Sequence, residues 1–320
     1  MKKFINQNLK SIIFLIFMIL IVTVQLPYYI EAPGGTINLS KRIDKQYKKS
    51  NGSLNMLYVT EYKGNIVTVL LSKVIKNWDL HKISNQQISN EDANEIYIRN
   101  KVMLENSTSN ATYVAYNYAN KDINIKEKEN IVIATTKNNG FKIGDIIISI
   151  DGKSVENINT IKEYLNTLNV GEKVTILIKR KNQEKKITIT IEQDKLLGIV
   201  MITNYIYEIN EDLDINFRNG EGGSSGGLIL SLGIYSQITG IDILKGRHIA
   251  GTGTIDIDGN IGQIDGIKYK IAGAVRNHMD IVLVPSDNYN EAKQVIETNK
   301  YNIELVKIST FKEAIEYLTK

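Results

Sequence analysis

The chain has 320 residues, 42% apolar and 23% charged, with 39 basic against 35 acidic side chains and a net charge of +4. That length suits more than one folded domain, the composition excludes a disordered chain, and so slight a charge gives no reason to expect a nucleic-acid partner. With no cysteine, disulfides, thiol catalysis and thiolate metal sites are excluded. Its histidines, His81, His248 and His278, do not stand at metal-ligand spacing from one another, so no metal or other cofactor is expected.

Residues 11–30, SIIFLIFMILIVTVQLPYYI, carry no charge and follow Lys2, Lys3 and Lys10. About 20 residues at ~1.5 Å rise match a bilayer core of about 30 Å. Lysines before and tyrosines after predict a transmembrane anchor over residues 1–30, with the N-terminus cytoplasmic and the remainder extracellular. A cleaved signal peptide is the alternative, because the strictly apolar core Ile12–Val22 is short, but no small-x-small cleavage pattern follows it.

Residues 31–125 form the next expected unit. Alternation, as in 65-NIVTVLL-71, predicts strands there. A helix follows over 88–104 with Ser89 or Asn90 as its cap, and a second over 107–119 brings Ala111, Val114, Ala115 and Tyr118 onto one face.

Residues 126–195 have a different order: a strand at 130–136, Gly-Asp, a strand, an Asp-Gly turn, a helix near 159–168, then strands at 172–180 and 185–193. Ile143-Gly144-Asp145-Ile146-Ile147 and Ile150-Asp151-Gly152 carry a pattern that resembles a PDZ domain. The resemblance implies pairing of an extended peptide with a sheet edge. A clear Gly-Leu-Gly-Phe-like carboxylate loop is not found, and a spacer that positions its neighbour is the alternative role.

Residues 196–320 mix both kinds of element. Strands are predicted at 198–203, 249–256, 280–285 and 303–308, and helices at 225–239, about 266–278, 290–299 and 310–320. The fold class is α+β: an N-terminal transmembrane helix, a PDZ-like β-rich domain and a C-terminal α+β domain.

The last domain contains 220-GEGGSSGGLILSLGIYSQITG-240, a Gly-Ser run that opens a helix. A flexible tether should join domains, and this run lies inside one. A Walker loop needs Gly-x4-Gly-Lys-Ser/Thr; no lysine closes the run and no such pattern occurs in the 320 residues, so no ATP is expected. A nucleophilic serine at a helix start fits best, since glycines let main chain approach a substrate and the helix start supplies donors for an oxyanion.

Such a serine needs a base. His248 is a weak candidate. A lysine serves only when neutral, so its pKa must fall from ~10.4 toward ~7–8, which burial can achieve. Lys268 and Lys270 are both candidates, about 200° apart on a helix. Both flank the face of Ile267, Ile271 and Ala274, and periodicity does not choose between them.

Ser224-Ser225-Gly226-Gly227-Leu228 with 231-SLGIY-235, 249-IAGTGTIDIDGNIG-262 and 266-GIKYKIAGA-274 resemble the proteolytic domain of Lon-type peptidases. The whole layout resembles membrane-anchored PDZ-plus-Lon proteases of Gram-positive bacteria. The resemblance implies Ser225 as nucleophile, Lys270 as base and Thr252 as the lysine's orienting partner, with Gly223 and Ser224 as supporting loop residues. It also implies an ATP-independent endopeptidase acting on peptides or exposed segments of surface proteins. Three positions depart from the family pattern: Ser224 in place of proline, Gly226 of alanine and Asp265 of glycine. Asp265 would hold a nearby lysine charged. The competing function is a surface adaptor that binds polypeptides through the PDZ-like domain beside a degenerate peptidase domain. An anion- or nucleotide-binding sensor rests on the helix start alone.

Overall fold

The computed structural model describes residues 2–43, 51–82, 91–210 and 213–320. Helix α1 covers Lys2–Thr23, and the chain then enters strand β1, Gln25–Asn38. The uncharged segment 11–30 is therefore split between a helix and a strand. Its helical part, Ser11 to Thr23, spans only about 20 Å at ~1.5 Å per residue, against about 30 Å of bilayer core. The remainder is spent on sheet pairing: Tyr29 lies opposite Lys63 on one side and His81 on the other. Among the described residues no helix is long and apolar enough to cross a membrane. This overturns the expected transmembrane helix in residues 1–30. With it goes the single-pass placement of a cytoplasmic N-terminus and an extracellular catalytic domain.

Strand β2, Ser53–Asn65, returns antiparallel to β1. The alternation at 65–71 does not continue it, because these residues open helix α2, Ile66–Ser72. Asn65 decides this. Its side chain accepts from Thr68 N at 2.9 Å while Thr68 Oγ1 accepts from Asn65 N at 2.8 Å, a reciprocal cap that starts a helix. Strand β3, Asp79–Lys82, then pairs with the outer side of β1. The two helices expected between 88 and 119 are one, α3, Ala93–Tyr118, capped by Asp92 through the Asn94 and Glu95 N–H groups. The expected caps Ser89 and Asn90 lie outside the described residues.

The middle of the chain builds a separate sheet from β4 (Ile123–Thr135), β5 (Ile146–Ile150), β6 (Lys153–Ser154), β7 (Lys173–Arg180), β8 (Gln183–Thr190) and β9 (Ile199–Ile209), with helix α4 at Ile158–Thr167. The order is β8-β7-β5-β4-β9, with β6 against β5. Alternate residues of β7, Val174, Ile176 and Ile178, meet Ile161 and Leu165 of α4 in its core. Both motifs of this region are structural. Asp145 is fully buried, and its two carboxylate oxygens accept from Arg180 Nε and Nη2 at 2.6 Å each. Asp151 and Gly152 turn the chain with φ of +46° and +77°, and the Asp151 carboxylate accepts from Thr175 N and the Tyr164 hydroxyl.

The C-terminal part supplies α5 (Gly227–Thr239), β10 (His248–Gly251), β11 (Thr254–Ile255), β12 (Ile261–Gly262), α6 (Ile267–Arg276), β13 (Ile281–Pro285), α7 (Tyr289–Asn299), β14 (Glu304–Ile308) and α8 (Phe311–Thr319). The strand expected over 249–256 is two, since β10 ends at Gly251 and β11 pairs with β12. Strands from both ends of the chain share one sheet, β14-β13-β10-β2-β1-β3, parallel from β14 to β2 and antiparallel beyond. Its two faces follow the period of two. Ile249 and Leu283 pack in the core that holds α3, α5 and α8, whereas Ala250, Val282 and Val284 pack with α6 and α7. Helix α5 is buried from Gly227 to Tyr235, as its nearly unbroken apolar sequence requires.

Candidate active site

The Gly-Ser run leads into α5, and α5 packs beside β10, which Thr252 directly follows. Thr252 is fully buried and fixed by its N–H to Leu283 O at 3.1 Å. Its hydroxyl donates to the Ser225 carbonyl at 3.1 Å, which also accepts from Gly253 N at 2.8 Å. Leu228 N returns to Gly253 O at 3.1 Å. Residues 225–228 are thereby laced to 252–253. Ser224 is held through its carbonyl, which accepts from Gly227 N at 3.3 Å and Ser107 Oγ at 3.0 Å. Gly223, with φ of +90°, donates to Asn100 O at 2.9 Å.

Burial separates the two lysines that spacing leaves equivalent. Lys268 stays partly exposed, 2.6 Å from Asp79. Lys270 is 4% exposed, and Nζ donates to Thr252 Oγ1 at 3.1 Å. One hydroxyl therefore touches both Lys270 and the main chain of Ser225. His248, at the opposite end of β10 from Thr252, has its Nδ1 2.9 Å from Ser53 Oγ.

Burial disfavours the ammonium and pulls the Lys270 pKa down to about 8, against an ordinary value of 10.5. The carboxylates of Asp265 and Glu31 pull the other way. Asp265 opposes deprotonation as its place in the motif suggests, but it is exposed, and burial outweighs it. No local sequence signal marks Glu31. It sits half-buried on β1, directly opposite Asp79 of β3, with His81 Nε2 at 3.5 Å. Asp79 also accepts from the Tyr269 hydroxyl at 2.6 Å, so β3 holds the start of α6.

Ser225 lines a groove of about 690 Å³ between strands β1 and β2, helix α3 and the 217–226 turn. Strand β10 pairs with β2 only as far as Met56, so residues 57–61, which line the groove, lie beyond the end of that pairing. The turn is braced from below by Arg42, 6% exposed. Arg42 Nε donates to Glu221 Oε2 at 3.0 Å and Nη2 to Oε1, while Glu221 Oε2 also accepts from Arg218 N. The Arg42–Glu221 pair spans 179 positions and leaves no local signal.

Residues 208–320 match the family model of the Lon protease (S16) C-terminal proteolytic domain, and residues 123–191 match that of the PDZ domain. The chain thus carries a Lon-type proteolytic domain and a PDZ domain. The Lon protease of Neorickettsia sennetsu is 30% identical over 95 residues, 30% of this chain and 11% of that protein. The Lon protease of Azospirillum brasilense is 30% identical over 112 residues, 33% of this chain and 14% of that protein. The chain therefore spans only a small part of the length of these relatives. The crystal structure of the PDZ domain of an SdrC-like protein from Listeria monocytogenes aligns over 25% of this chain and 93% of that domain, at 19% identity and a TM-score of 0.23. Strands β1 and β2 and helix α3, which wall the groove, come from outside both matched segments.

Proposed function

We propose that the chain is a serine endopeptidase that cleaves peptides or exposed polypeptide segments, with Ser225 as nucleophile, Lys270 as general base and no nucleotide step. The observation that carries this reading is the burial of Lys270 against a single hydroxyl, on the same threonine that fixes the Ser225 main chain. The neutral amine takes the proton as Ser225 Oγ bonds to the scissile carbonyl carbon. The resulting ammonium returns that proton to the leaving amine, and the acyl ester is then hydrolysed by water with the amine again as base. Gly227 N and Leu228 N are already engaged, so the oxyanion would be met by Ser225 N and Gly226 N at the head of α5. The stretch of β2 at 57–60, which lines the groove beyond the end of the β10 pairing, suits an extended peptide bound by main-chain pairing. A PDZ domain in the same chain supports polypeptide as the substrate class.

Purified protein incubated with unstructured peptide, followed by mass spectrometry, tests this. Ser225→Ala should lower cleavage by at least about a thousandfold, and Ser224→Ala should retain most of it. Loss with Ser224→Ala and retention with Ser225→Ala would assign the nucleophile wrongly. Peptide recovered bound but intact from the wild type would instead make the chain an adaptor.

A further inference from the structure

Helix α3 carries buried polarity on a face where apolar side chains would pack as well. Ser107, Ser109 and Asn110 are each less than a tenth exposed, on a helix whose Ala111, Val114 and Ala115 lie in the apolar core. Buried hydroxyls and amides persist where they are hydrogen-bonded. Here they are spent, with Asn106, on main-chain carbonyls of other segments. Asn106 Nδ2 donates to Thr203 O at 2.8 Å and Ser109 Oγ to Tyr205 O at 2.6 Å, both on β9 of the PDZ sheet. Ser107 Oγ donates to Ser224 O at 3.0 Å, and Asn110 Nδ2 to Ile255 O at 3.0 Å. Asn100 O adds its bond from Gly223 N.

At ~100° per residue, Asn106 and Ser109 share one side of the helix, and Asn100 and Ser107 share an adjacent one. One rod therefore fixes both ends of the segment that runs from β9 to the nucleophile. The fit leaves little slack, since a Cβ on Gly222 would lie 2.8 Å from Asn100 Cβ and one on Gly227 2.9 Å from Ser107 Oγ. The network also reaches into the PDZ interior. Thr203 Oγ1 donates to Asn130 Oδ1 at 2.8 Å, and Asn130, 1% exposed, donates through Nδ2 to Val155 O at 3.2 Å. A continuous path thus runs from the β6–α4 connection to the residue before Ser225. Strand β9 is the outermost strand of its sheet, and α3 bonds to its carbonyls at Thr203 and Tyr205, so a displacement of that sheet edge is passed directly to α3.

We propose that α3 is a positioning element through which the PDZ sheet sets the geometry of the nucleophile turn, with Asn106 and Ser107 as its positioning residues. The proposal rests on the reading of Ser225 as nucleophile. The full chain and its Asn106→Ala, Thr203→Val and Ser107→Ala variants test it by three readouts: the rate of Ser225 labelling by a fluorophosphonate, kcat and KM on an unstructured casein peptide, and amide hydrogen exchange at 222–228. Asn106→Ala and Thr203→Val do not touch the turn, yet each should speed exchange there and lower kcat and labelling by about three- to tenfold, with KM within about twofold. Ser107→Ala should do the same, and the Asn106→Ala/Ser107→Ala pair should lose less than the product of the single losses. A merely structural role would instead speed exchange in α7 and α8 as well, and would overturn the proposal. So would variants at 106 and 203 that leave exchange at 222–228 and labelling at wild-type values. If the wild type neither labels nor cleaves, the Ser225 reading fails. Exchange at 222–228 then decides alone, faster in Asn106→Ala supporting the coupling and unchanged refuting it. Should Asn106→Ala not fold, Asn106→Leu carries the test, since it keeps the side-chain volume and removes the donor to Thr203 O.

Discussion

Asp145 in the PDZ domain and Lys270 in the proteolytic domain are both ionisable side chains with almost no exposure, and the two regions treat them in opposite ways. Asp145 is given a guanidinium in bidentate contact and a main-chain N–H from Lys142. Lys270 receives one hydroxyl, with its nearest carboxylates acting only through space. A carboxylate gripped by a guanidinium ties the start of β5 to β7, whereas a buried ammonium left with a neutral partner sheds its proton more readily. The first arrangement serves the fold. The second gives a base.

Breaking the PDZ pair gives the largest change in stability. Asp145→Asn leaves the partly exposed Arg180 facing a neutral amide, and should destabilise that domain by about 3 kcal/mol. Urea unfolding followed by hydrogen exchange in β5 and β7 measures it. A loss below about 1 kcal/mol would mean that the pair is solvated and the contrast false.

The opposite sign is expected at position 270. Its pKa is about 8 in the folded protein and 10.5 ordinarily, so the unfolded chain binds the proton more tightly. Stability therefore falls as pH drops from about 10.5 toward 8, and the deficit is complete below that window. At ~1.36 kcal/mol per unit it reaches about 3 kcal/mol. Lys270→Met should abolish cleavage and yet stabilise the protein at pH 7 by up to about 3 kcal/mol, with the gain vanishing near pH 10.5. Thermal or urea unfolding at both pH values decides it, and a variant destabilised at pH 7 would show that the amine is solvated or charge-paired.

Thr252 sharpens the comparison at smaller cost. Thr252→Val keeps the shape and removes the hydroxyl shared by Lys270 and the Ser225 carbonyl. It should lower kcat by about ten- to a hundredfold with KM little changed. Thr252→Ser should restore most of the rate, and equal activity in both variants would remove the threonine from the site.

How far these features were legible follows from their range in sequence. Local signals worked for α5, whose apolar run admits only a buried helix, and for β13, a short apolar strand between turns. They failed at 65–71, where two polar side chains, Asn65 and Thr68, override alternation. They failed again at 11–30, because a hydropathy stretch carries no record of the partners that turn Tyr28–Ile30 into sheet. Of the site, the Gly-Ser turn and the pair of lysines were visible, but periodicity left Lys268 and Lys270 equivalent and only the family resemblance pointed to Lys270. Asp79, which draws Lys268 to the surface, stands 189 positions away. The contacts of Ser107 with Ser224 and of Arg42 with Glu221 are likewise products of topology, and asparagines and serines in a helix read locally as mere breaks in an apolar face.

The pH profile is the finest test of the contrast, because it asks whether the poorly paired amine controls the rate. With Lys270 near 8, roughly a tenth of the molecules hold a neutral base at pH 7 and roughly nine-tenths at pH 9. The kcat/KM for a substrate without titratable groups should therefore rise about tenfold between those values and level off above. Asp265→Asn and Glu31→Gln each remove a carboxylate that favours the ammonium, so each should move this rise to lower pH, without a change in the plateau. A wild-type profile flat from pH 6 to 9 would mean that the reacting base titrates elsewhere. A rise that both substitutions leave in place would mean that these carboxylates are screened from the amine by water, and that the burial of Lys270 alone sets its proton affinity.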